Sequence, residues 1–290
     1  MSSVLVSTPE CHTRRVKLAT IRDGDRTRAV RVDGDTAVDI GVADVGELLR
    51  NSDWRQRAER ASGATRPVEG LDFAPVIPRP EKIICVGLNY RNHILETGRE
   101  IPEFPTLFAK FTPALIGAND DVVLPLVSDA VDWEAELGVV IGKPARHVTP
   151  EGAADVIAGY AVVNDVSVRD YQNRTIEWLQ GKTFESTTPL GPYLVTSDET
   201  PGPNREISCE VDGEVKQKAD TSDLVFDPFF LVSYISDIIT LAPGDVIATG
   251  TPGGVGNARN PKEFLRDGSV MITRIAGVGE CRNVCRRESR

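Results

Sequence analysis

The amino-acid sequence predicts a mixed α+β protein, predominantly β, with a small N-terminal α+β domain and linker over residues 1–79 and a larger strand-rich domain over 80–290. Three observations carry that expectation. Residues 16–40 alternate apolar and polar positions and are interrupted by Asp23-Gly24 and Asp33-Gly34, dipeptides that supply the positive φ of tight hairpins. A proline-punctuated stretch over 67–80 ends in Pro78 and Pro80, just before the apolar run Ile83–Gly87, as expected of a linker at a boundary near 80. Beyond it, short apolar runs recur with few helical periodicities, which disfavours a doubly wound parallel sheet.

In chain order, 16–40 reads as an antiparallel meander, 42–62 as a helix and 67–80 as the linker. Strands are expected at 82–87, 122–124, 134–142, 159–164, 191–196, 206–212, 214–218, 245–249 and 269–275, with Asp212-Gly213 closing a hairpin. Helices are expected near 89–97, 150–156, 167–173 and 226–239. The segments 181–184 and 189–192 read as constrained loop. Neither an internal repeat nor a low-complexity tract is found.

A chain of 290 residues, 40% hydrophobic and 26% charged, can bury a core that needs no covalent or metal staple. Its formal charge of −10 disfavours nucleic acid or an anionic membrane as the main partner, because both demand a basic surface. A small anionic ligand remains compatible with it, provided that a metal and a few basic side chains line the pocket. No run approaches the ~18 apolar residues of a membrane-spanning helix. Residues 1–15 lack the basic-then-apolar order of a secretory leader, so the expected location is the cytoplasm. Cys11, Cys85, Cys209, Cys281 and Cys285 are scattered. Because no second pair accompanies Cys281 and Cys285, reduced thiols are expected there and not a zinc site.

The densest chemistry lies in Asp132-Trp133-Glu134-Ala135-Glu136-Leu137-Gly138-Val139-Val140-Ile141. On a strand, residues i and i+2 share a face with Cα atoms roughly 6.5–7 Å apart, so Glu134 and Glu136 project side by side where the segment turns apolar. Two carboxylates at the mouth of a buried strand repel each other and lose hydration. A divalent cation between them removes both penalties, and hard oxygen donors suit Mg²⁺, Mn²⁺ or Ca²⁺. A solvated strand face is the rival reading of the pair alone. Asp165 ends the apolar run 160–164 and reads as either a ligand or a helix N-cap. Helical spacing from it puts Arg169 and Gln172 on one face, bringing together an acid, an amide and a guanidinium suited to bidentate carboxylate binding.

Three further features compete for a role. Lys182, in Gly181-Lys182-Thr183-Phe184, can supply charge to a bound carboxylate, although a lone lysine is more often simply exposed. The glycine-rich stretch 248–256 follows a strand and lets backbone N–H groups approach a ligand. It is neither a Walker loop nor a dinucleotide fingerprint, and a tight structural turn is its rival reading. His93 and Glu96 stand at i, i+3, the spacing of a helical general-base pair and equally of a surface ion pair. His12 lies in the tail and His147 in a loop without an acid partner, so neither competes.

Taken together, GLNYRNHILETG, PTLFAKFTPALIG, DWEAELGVVIG, NDVSVRDYQ, GKTFESTTPLGP and TGTPGGVG, in that order over about 82–277, resemble the fumarylacetoacetate hydrolase family. The resemblance implies a layered β-sheet roll, usually dimeric, behind a smaller N-terminal domain. It implies Mg²⁺ or Mn²⁺ held by Glu134, Glu136 and Asp165, with Ca²⁺ a possible substitute in a crystal. It further implies that Arg169, Gln172, Lys182 and Thr251 face the substrate, and that His93 and Glu96 form a catalytic pair on a lid, with Lys182 assisting. Full-length eukaryotic hydrolases carry a further Asp ligand; here the equivalent region offers Asn89, so water or substrate is expected to complete the octahedron.

That departure resembles the shorter members, which cleave acylpyruvates, decarboxylate oxaloacetate, or isomerise and decarboxylate pathway dicarboxylic acids. The function implied is metal-dependent cleavage of a C–C bond in a small 2-keto or 2,4-diketo acid through a stabilised enolate. An isomerase or dehydratase at the same site is the alternative, and a non-catalytic metal- or carboxylate-binding protein the remaining one. Specificity is expected to come from the lid and from 99–115 and 183–190.

Overall fold

The computed structural model describes residues 16–96, 98, 100–196 and 204–289. Lys17–Asp23, Arg26–Asp33 and Thr36–Asp39 form the expected antiparallel meander, with Gly24 and Gly34 at φ of +61° and +60° in its turns. Thr65–Pro67 adds a fourth strand. Where one helix was expected over 42–62 there are two, Val45–Leu49 and Trp54–Arg60. Asn51 makes the break: its side-chain amide donates to the carbonyls of Glu47 and Leu48 (3.0 and 3.1 Å) and so ends the first helix.

The proline-rich stretch is not a solvated linker. Phe73–Ile77 is buried, and it is strapped between the meander and the next strands by Ala74 N–H to Thr20 O (3.0 Å) and Val76 N–H to Leu190 O (2.9 Å).

The large sheet runs, in spatial order, Thr65–Pro67, Thr36–Asp39, Arg26–Asp33, Lys17–Asp23, Thr188–Thr196, Ile157–Asn164, Ala135–Ile141, Val246–Ala248, Ile83–Gly87 and Thr106–Lys110. Its pairings are antiparallel except that of Val246–Ala248 with Ile83–Gly87, and that of the short Leu115–Ile116 with Thr188–Thr196. A second sheet, Glu214–Asp220, Glu206–Val211, Val270–Ile275, Gly279–Arg287 and Val122–Leu124, packs over the central strands. Ile207, Cys209, Met271 and Cys281 there share one core with Leu137, Val139 and Tyr160. On the other face Val140, Ala161 and Val163 pack with Leu18, Val45 and Leu48. Covered on both faces, Ala135–Ile141 and Ile157–Asn164 are buried at every position.

Residues 16–79 thus contribute to both cores, and the first strand of the meander pairs directly with Thr188–Thr196 (Lys17↔Val195, Leu18↔Leu194). We keep the division near residue 80 as a proposal about folding units.

Helices Arg91–Glu96 and Pro228–Ile238 fall where expected, the second capped by Asp227, whose carboxylate accepts from Phe230 N–H. The expected helix at 150–156 is a 3₁₀ segment, Pro150–Asp155. Both loop expectations are corrected: Leu179–Lys182 is a helical turn, and 189–192 lies inside the strand Thr188–Thr196. Strands Thr106–Lys110 and Gly279–Arg287 were not anticipated. Cys85, Cys209, Cys281 and Cys285 are free and buried, while Cys11 and His12 lie outside the described residues. Among these residues no helix is long and apolar enough to cross a membrane.

Candidate functional site

Two adjacent strand ends build the site. Glu136 lies on Ala135–Ile141 with Glu134 just before that strand, and Asp165 follows Ile157–Asn164. The antiparallel register Ala135↔Asn164 brings these ends together. Asn164 Oδ1 accepts from Glu134 N–H (2.9 Å), and Asp165 N–H donates to Glu134 O (2.8 Å). Carboxylate oxygens of Glu134, Glu136 and Asp165 then lie within 4.8 Å of one another, all three residues buried. With Glu134 7% and Glu136 1% exposed, a solvated strand face is excluded.

The helical-face reasoning from Asp165 does not hold. Ser167–Val168 pairs as a short strand with Val131–Asp132, and the helix starts only at Arg169, with Val168 at its N-cap. Asp165 is therefore no N-cap; Arg169 and Gln172 meet on the helical turn Arg169–Gln172, which the pairing of Ser167–Val168 with Val131–Asp132 sets beside the acids. Arg169 NH1 donates to Gln172 Oε1 (2.9 Å) and pairs with Glu134 Oε1 (2.6 Å), and its Nε binds Asp132 Oδ2 (2.7 Å).

Two ammonium groups neutralise Asp165. Lys110 Nζ lies 2.6 Å from Oδ1 and Lys182 Nζ 2.9 Å from Oδ2, with Lys182 also 2.7 Å from Glu134 Oε2. Burial acts to raise the Asp165 pKa, but the two lysines outweigh it and hold the carboxyl below the usual carboxylate range. Burial likewise opposes the charge of Lys182, yet Asp165 and Glu134 keep it protonated above the ordinary lysine range.

Glu136 is treated differently. Its carboxylate accepts from Gly250 N–H (2.8 Å), and among the described residues no cation pairs with it. Burial, then the charges of Asp165 and Glu134, push its pKa well above the usual value. A buried all-oxygen donor set with one carboxylate that no cation contacts directly fits a hard divalent cation.

Glu134 and Glu136 line a cavity of about 240 Å³ together with Arg169, Gln172, Lys182 and Thr251, with His93 also in its wall. Lys182, expected in an exposed loop or at the ligand, is 2% exposed and belongs to the acid cluster. The glycine-rich turn is a tight structural turn, and it also reaches the acid cluster. Gly250 has φ +100°, and a Cβ there would come within 2.8 Å of Asn89 Cβ, so only glycine lets its N–H reach Glu136. Thr251 Oγ1 accepts from Gln217 Nε2 (2.8 Å), which leaves its own hydroxyl proton available. Asn89 is tied to Phe226 and Thr249 through its amide and is a scaffold residue.

His93 is half-buried on the helix Arg91–Glu96. The side chain of Glu96 lies outside the described set, so the pairing remains a proposal. His147 does have an acid partner, Asp237 Oδ1 at 2.9 Å from Nδ1, contrary to expectation. Both side chains are 65% exposed, and the contact is a surface pair across a 90-residue separation in sequence.

Two site residues had no assigned role in the sequence reading. Lys110 sits inside the apolar stretch Leu107-Phe108-Ala109-Lys110-Phe111, and a charge in such a run signals a buried partner. Asp132, fully buried, accepts from Trp133 N–H, Gly256 N–H, Arg169 Nε and Asn257 N–H (2.7–2.9 Å). It thereby fastens the glycine-rich turn to Arg169.

Comparison with known proteins agrees with this architecture. Residues 82–286 match the family described as fumarylacetoacetate (FAA) hydrolase C-terminal. The chain is 44% identical over 228 residues to the mitochondrial oxaloacetate tautomerase FAHD2A of Homo sapiens, covering 77% of this chain and 73% of that protein. Among solved structures it resembles a 5-carboxymethyl-2-hydroxymuconate delta-isomerase from Mycobacterium smegmatis (TM-score 0.79, 32% identity, 94% of this chain and 100% of that one). It also resembles the maleylpyruvate hydrolase from Sphingobium sp. SYK-6, solved with manganese(II) ion and pyruvate (TM-score 0.79, 31% identity, 94% and 100%). A tautomerase, an isomerase and a hydrolase are thus all built on this plan. The matched region contains every residue of the acid cluster, and the chain belongs to the fumarylacetoacetate hydrolase family.

Proposed function

We propose that the protein is a divalent-metal-dependent enzyme that interconverts the keto and enol forms of a small 2-oxo dicarboxylic acid of the oxaloacetate type. The observation that carries this reading is the cavity of about 240 Å³ with the buried carboxylates of Glu134 and Glu136 and the buried cations Arg169 and Lys182 in its wall, and with the Asp165 carboxylate within 4.8 Å of the two glutamates. It is smaller than the ~300–1,000 Å³ of pockets for drug-sized ligands, and it suits a compact, multiply charged acid. Likeness to the oxaloacetate tautomerase supports the substrate class.

Glu134, Glu136 and Asp165 would hold Mg²⁺ or Mn²⁺. Bound there, the ion supplies Lewis-acid stabilisation of negative charge on the 2-oxo oxygen. Arg169 NH2 is buried and without a partner among the described residues, and it receives a substrate carboxylate. Gln172 has its oxygen committed to Arg169 and offers its amide N–H. Thr251 donates its hydroxyl proton to the same anion. Lys182 offsets charge that develops on the oxygens. His93, with Glu96 as its proposed partner, takes the proton from the carbon next to the 2-oxo group and delivers it to the enolate oxygen, and the reverse transfer returns the enol to the keto form.

Cleavage of a C–C bond in an acylpyruvate-type acid is the second reading, because it shares the enolate. His93 in the cavity wall, where water could be activated, and the likeness to maleylpyruvate hydrolase favour it. Assembly as a homodimer and a cytoplasmic location belong to the same proposal and rest on the resemblance and the composition.

The test is turnover of metal-stripped protein on oxaloacetate, acetylpyruvate and fumarylpyruvate, with and without Mn²⁺. Enol absorbance and NMR of products are followed together. Mn²⁺-restored enol–keto conversion with the carbon skeleton intact is expected. Release of pyruvate would move the assignment to cleavage, and no reaction on any of them refutes both readings.

A further inference from the structure

Outward from the acids, the cavity wall turns aromatic. Lys182 Nζ lies 5.0 Å from the centroid of the Phe108 ring, and Phe108 meets Trp178 edge-on at 5.4 Å and 70°. All three residues line the cavity. Lys182 is buried, whereas Phe108 and Trp178 are half-buried and Trp178 follows the exposed segment 173–177, so the contacts from Lys182 to Phe108 to Trp178 run from the closed end towards the half-buried side of the cavity.

The indole is seated on bare backbone. A Cβ placed on Gly87 would come within 2.1 Å of Trp178 Cζ3 and 2.8 Å of Cη2, closer than any side chain permits. Gly87 and Phe108 lie on paired strands, with Gly87 opposite Thr106 and Cys85 opposite Phe108. One strand pair therefore supplies both the seat and the brace. The segment after Gln172 is exposed, with Ile176 at 94%, so it has little packing of its own to fix the ring.

We infer that Trp178, seated on Gly87 and braced by Phe108, limits the length of the tail that a 2-oxo acid can carry beyond its metal-binding head. The inference rests on the proposed reading of the cavity as a 2-oxo acid site. With the head carboxylate on Arg169 and the oxo group at the acids, the far end of the ligand points to the half-buried end. There the indole occupies the space that a longer acyl chain needs. The favoured class is short 2-oxo dicarboxylates over 2,4-dioxo acids with extended acyl tails.

The test uses the full chain with Mn²⁺, as wild type, Trp178→Ala and Trp178→Phe. Calorimetric binding and kcat/KM are measured for oxaloacetate and for acylpyruvates lengthening from acetyl to hexanoyl. Trp178→Ala should shift the hexanoyl-to-acetyl preference by about tenfold or more towards the long tail, on the scale that a few methylenes give in a pocket. Trp178→Phe should fall between, and oxaloacetate binding should stay within about threefold. A tail-length profile in both variants parallel to wild type overturns the tail limit alone. Wild type that binds no 2-oxo acid with Mn²⁺ overturns the reading of the site, and the tail limit with it.

Discussion

Replacing Asp165 by asparagine and Glu136 by glutamine should move stability in opposite directions before any cation is added. Asp165 holds two buried ammonium groups, Lys110 and Lys182. Asparagine keeps one neutral acceptor oxygen for two buried ammonium groups, so both lose the counter-charge and one of them loses its hydrogen-bond acceptor. Removing one partner of a buried ion pair costs about 3–5 kcal/mol, which lowers Tm by roughly 10 °C at about 2–4 °C per kcal/mol. Glu136 instead accepts one backbone N–H, which a glutamine oxygen accepts equally well, and it faces two carboxylates with no cation of its own. Glutamine removes that repulsion and strands nothing, so metal-free stability should be equal or higher.

Added Mn²⁺ then separates the roles. At a hundredfold excess over Kd, a ligand that binds only the folded state contributes ≈ 2.7 kcal/mol, a Tm rise of roughly 5–10 °C. Glu136→Gln should reduce that rise to about 1 °C or less, since a neutral amide replaces a charged ligand. Scanning calorimetry of chelator-treated protein, with and without Mn²⁺, reads both effects. A Glu136→Gln variant that loses several kcal/mol without metal, or that keeps the full Mn²⁺ shift, would refute the view that its missing counter-charge is the cation.

The remaining predictions concern pH and three side chains. Glu136 is held protonated well above the usual range, so Mn²⁺ should displace about one proton. Below that raised pKa, apparent affinity should climb up to about tenfold per pH unit. Calorimetry in buffers of different ionisation enthalpy checks this, and absence of proton release counts against it. The raised pKa also means that the stabilisation from protonated Glu136 is complete below the ordinary glutamate range and is lost as pH rises through its folded value. Metal-free Tm should therefore fall over that window in wild type and not in Glu136→Gln. His93→Ala should keep the Mn²⁺-induced Tm rise and lose about a hundredfold or more in turnover; unimpaired turnover would remove the base. Asp132→Asn should raise KM for anionic substrates about tenfold while sparing the Mn²⁺ shift, because one amide oxygen cannot serve Arg169 and the glycine-rich turn together. An unchanged KM would show that Arg169 needs no such anchor.

Much of the site was legible because its chemistry is local. Glu134, Glu136 and Asp165 each border an apolar run, and a carboxylate there needs a counter-charge wherever the strand goes. What the sequence hid was non-local. Lys110 and Lys182 reach Asp165 from sequence separations of 55 and 17 residues, and no period in the chain announces such pairs. The error at Asp165 came from extending a helix backwards over Ser167 and Val168, whose pairing with Val131 and Asp132 lies 36 residues or so upstream. Gly279–Arg287 escaped notice because its inward positions are Cys281, Asn283 and Cys285, one of them polar, while the outward-facing Val284 interrupts the charged neighbours Glu280, Arg282 and Arg286. Its alternation is real, but it is written in residues that hydrophobicity ranks poorly. Trp178 and Gly87 were likewise silent, since a contact between an indole and a missing side chain leaves no pattern.

The pairing of Lys17 and Leu18 with Val195 and Leu194 also closes a sheet edge. Without it, the second half of Thr188–Thr196 would present unpaired N–H and C=O groups beside a row of apolar side chains, a template for recruiting another polypeptide. The meander acts as a guard on that edge. Chains shortened to begin at residue 80 should therefore self-associate even where their acid cluster is intact, and solubility and chemistry would fail by separate routes.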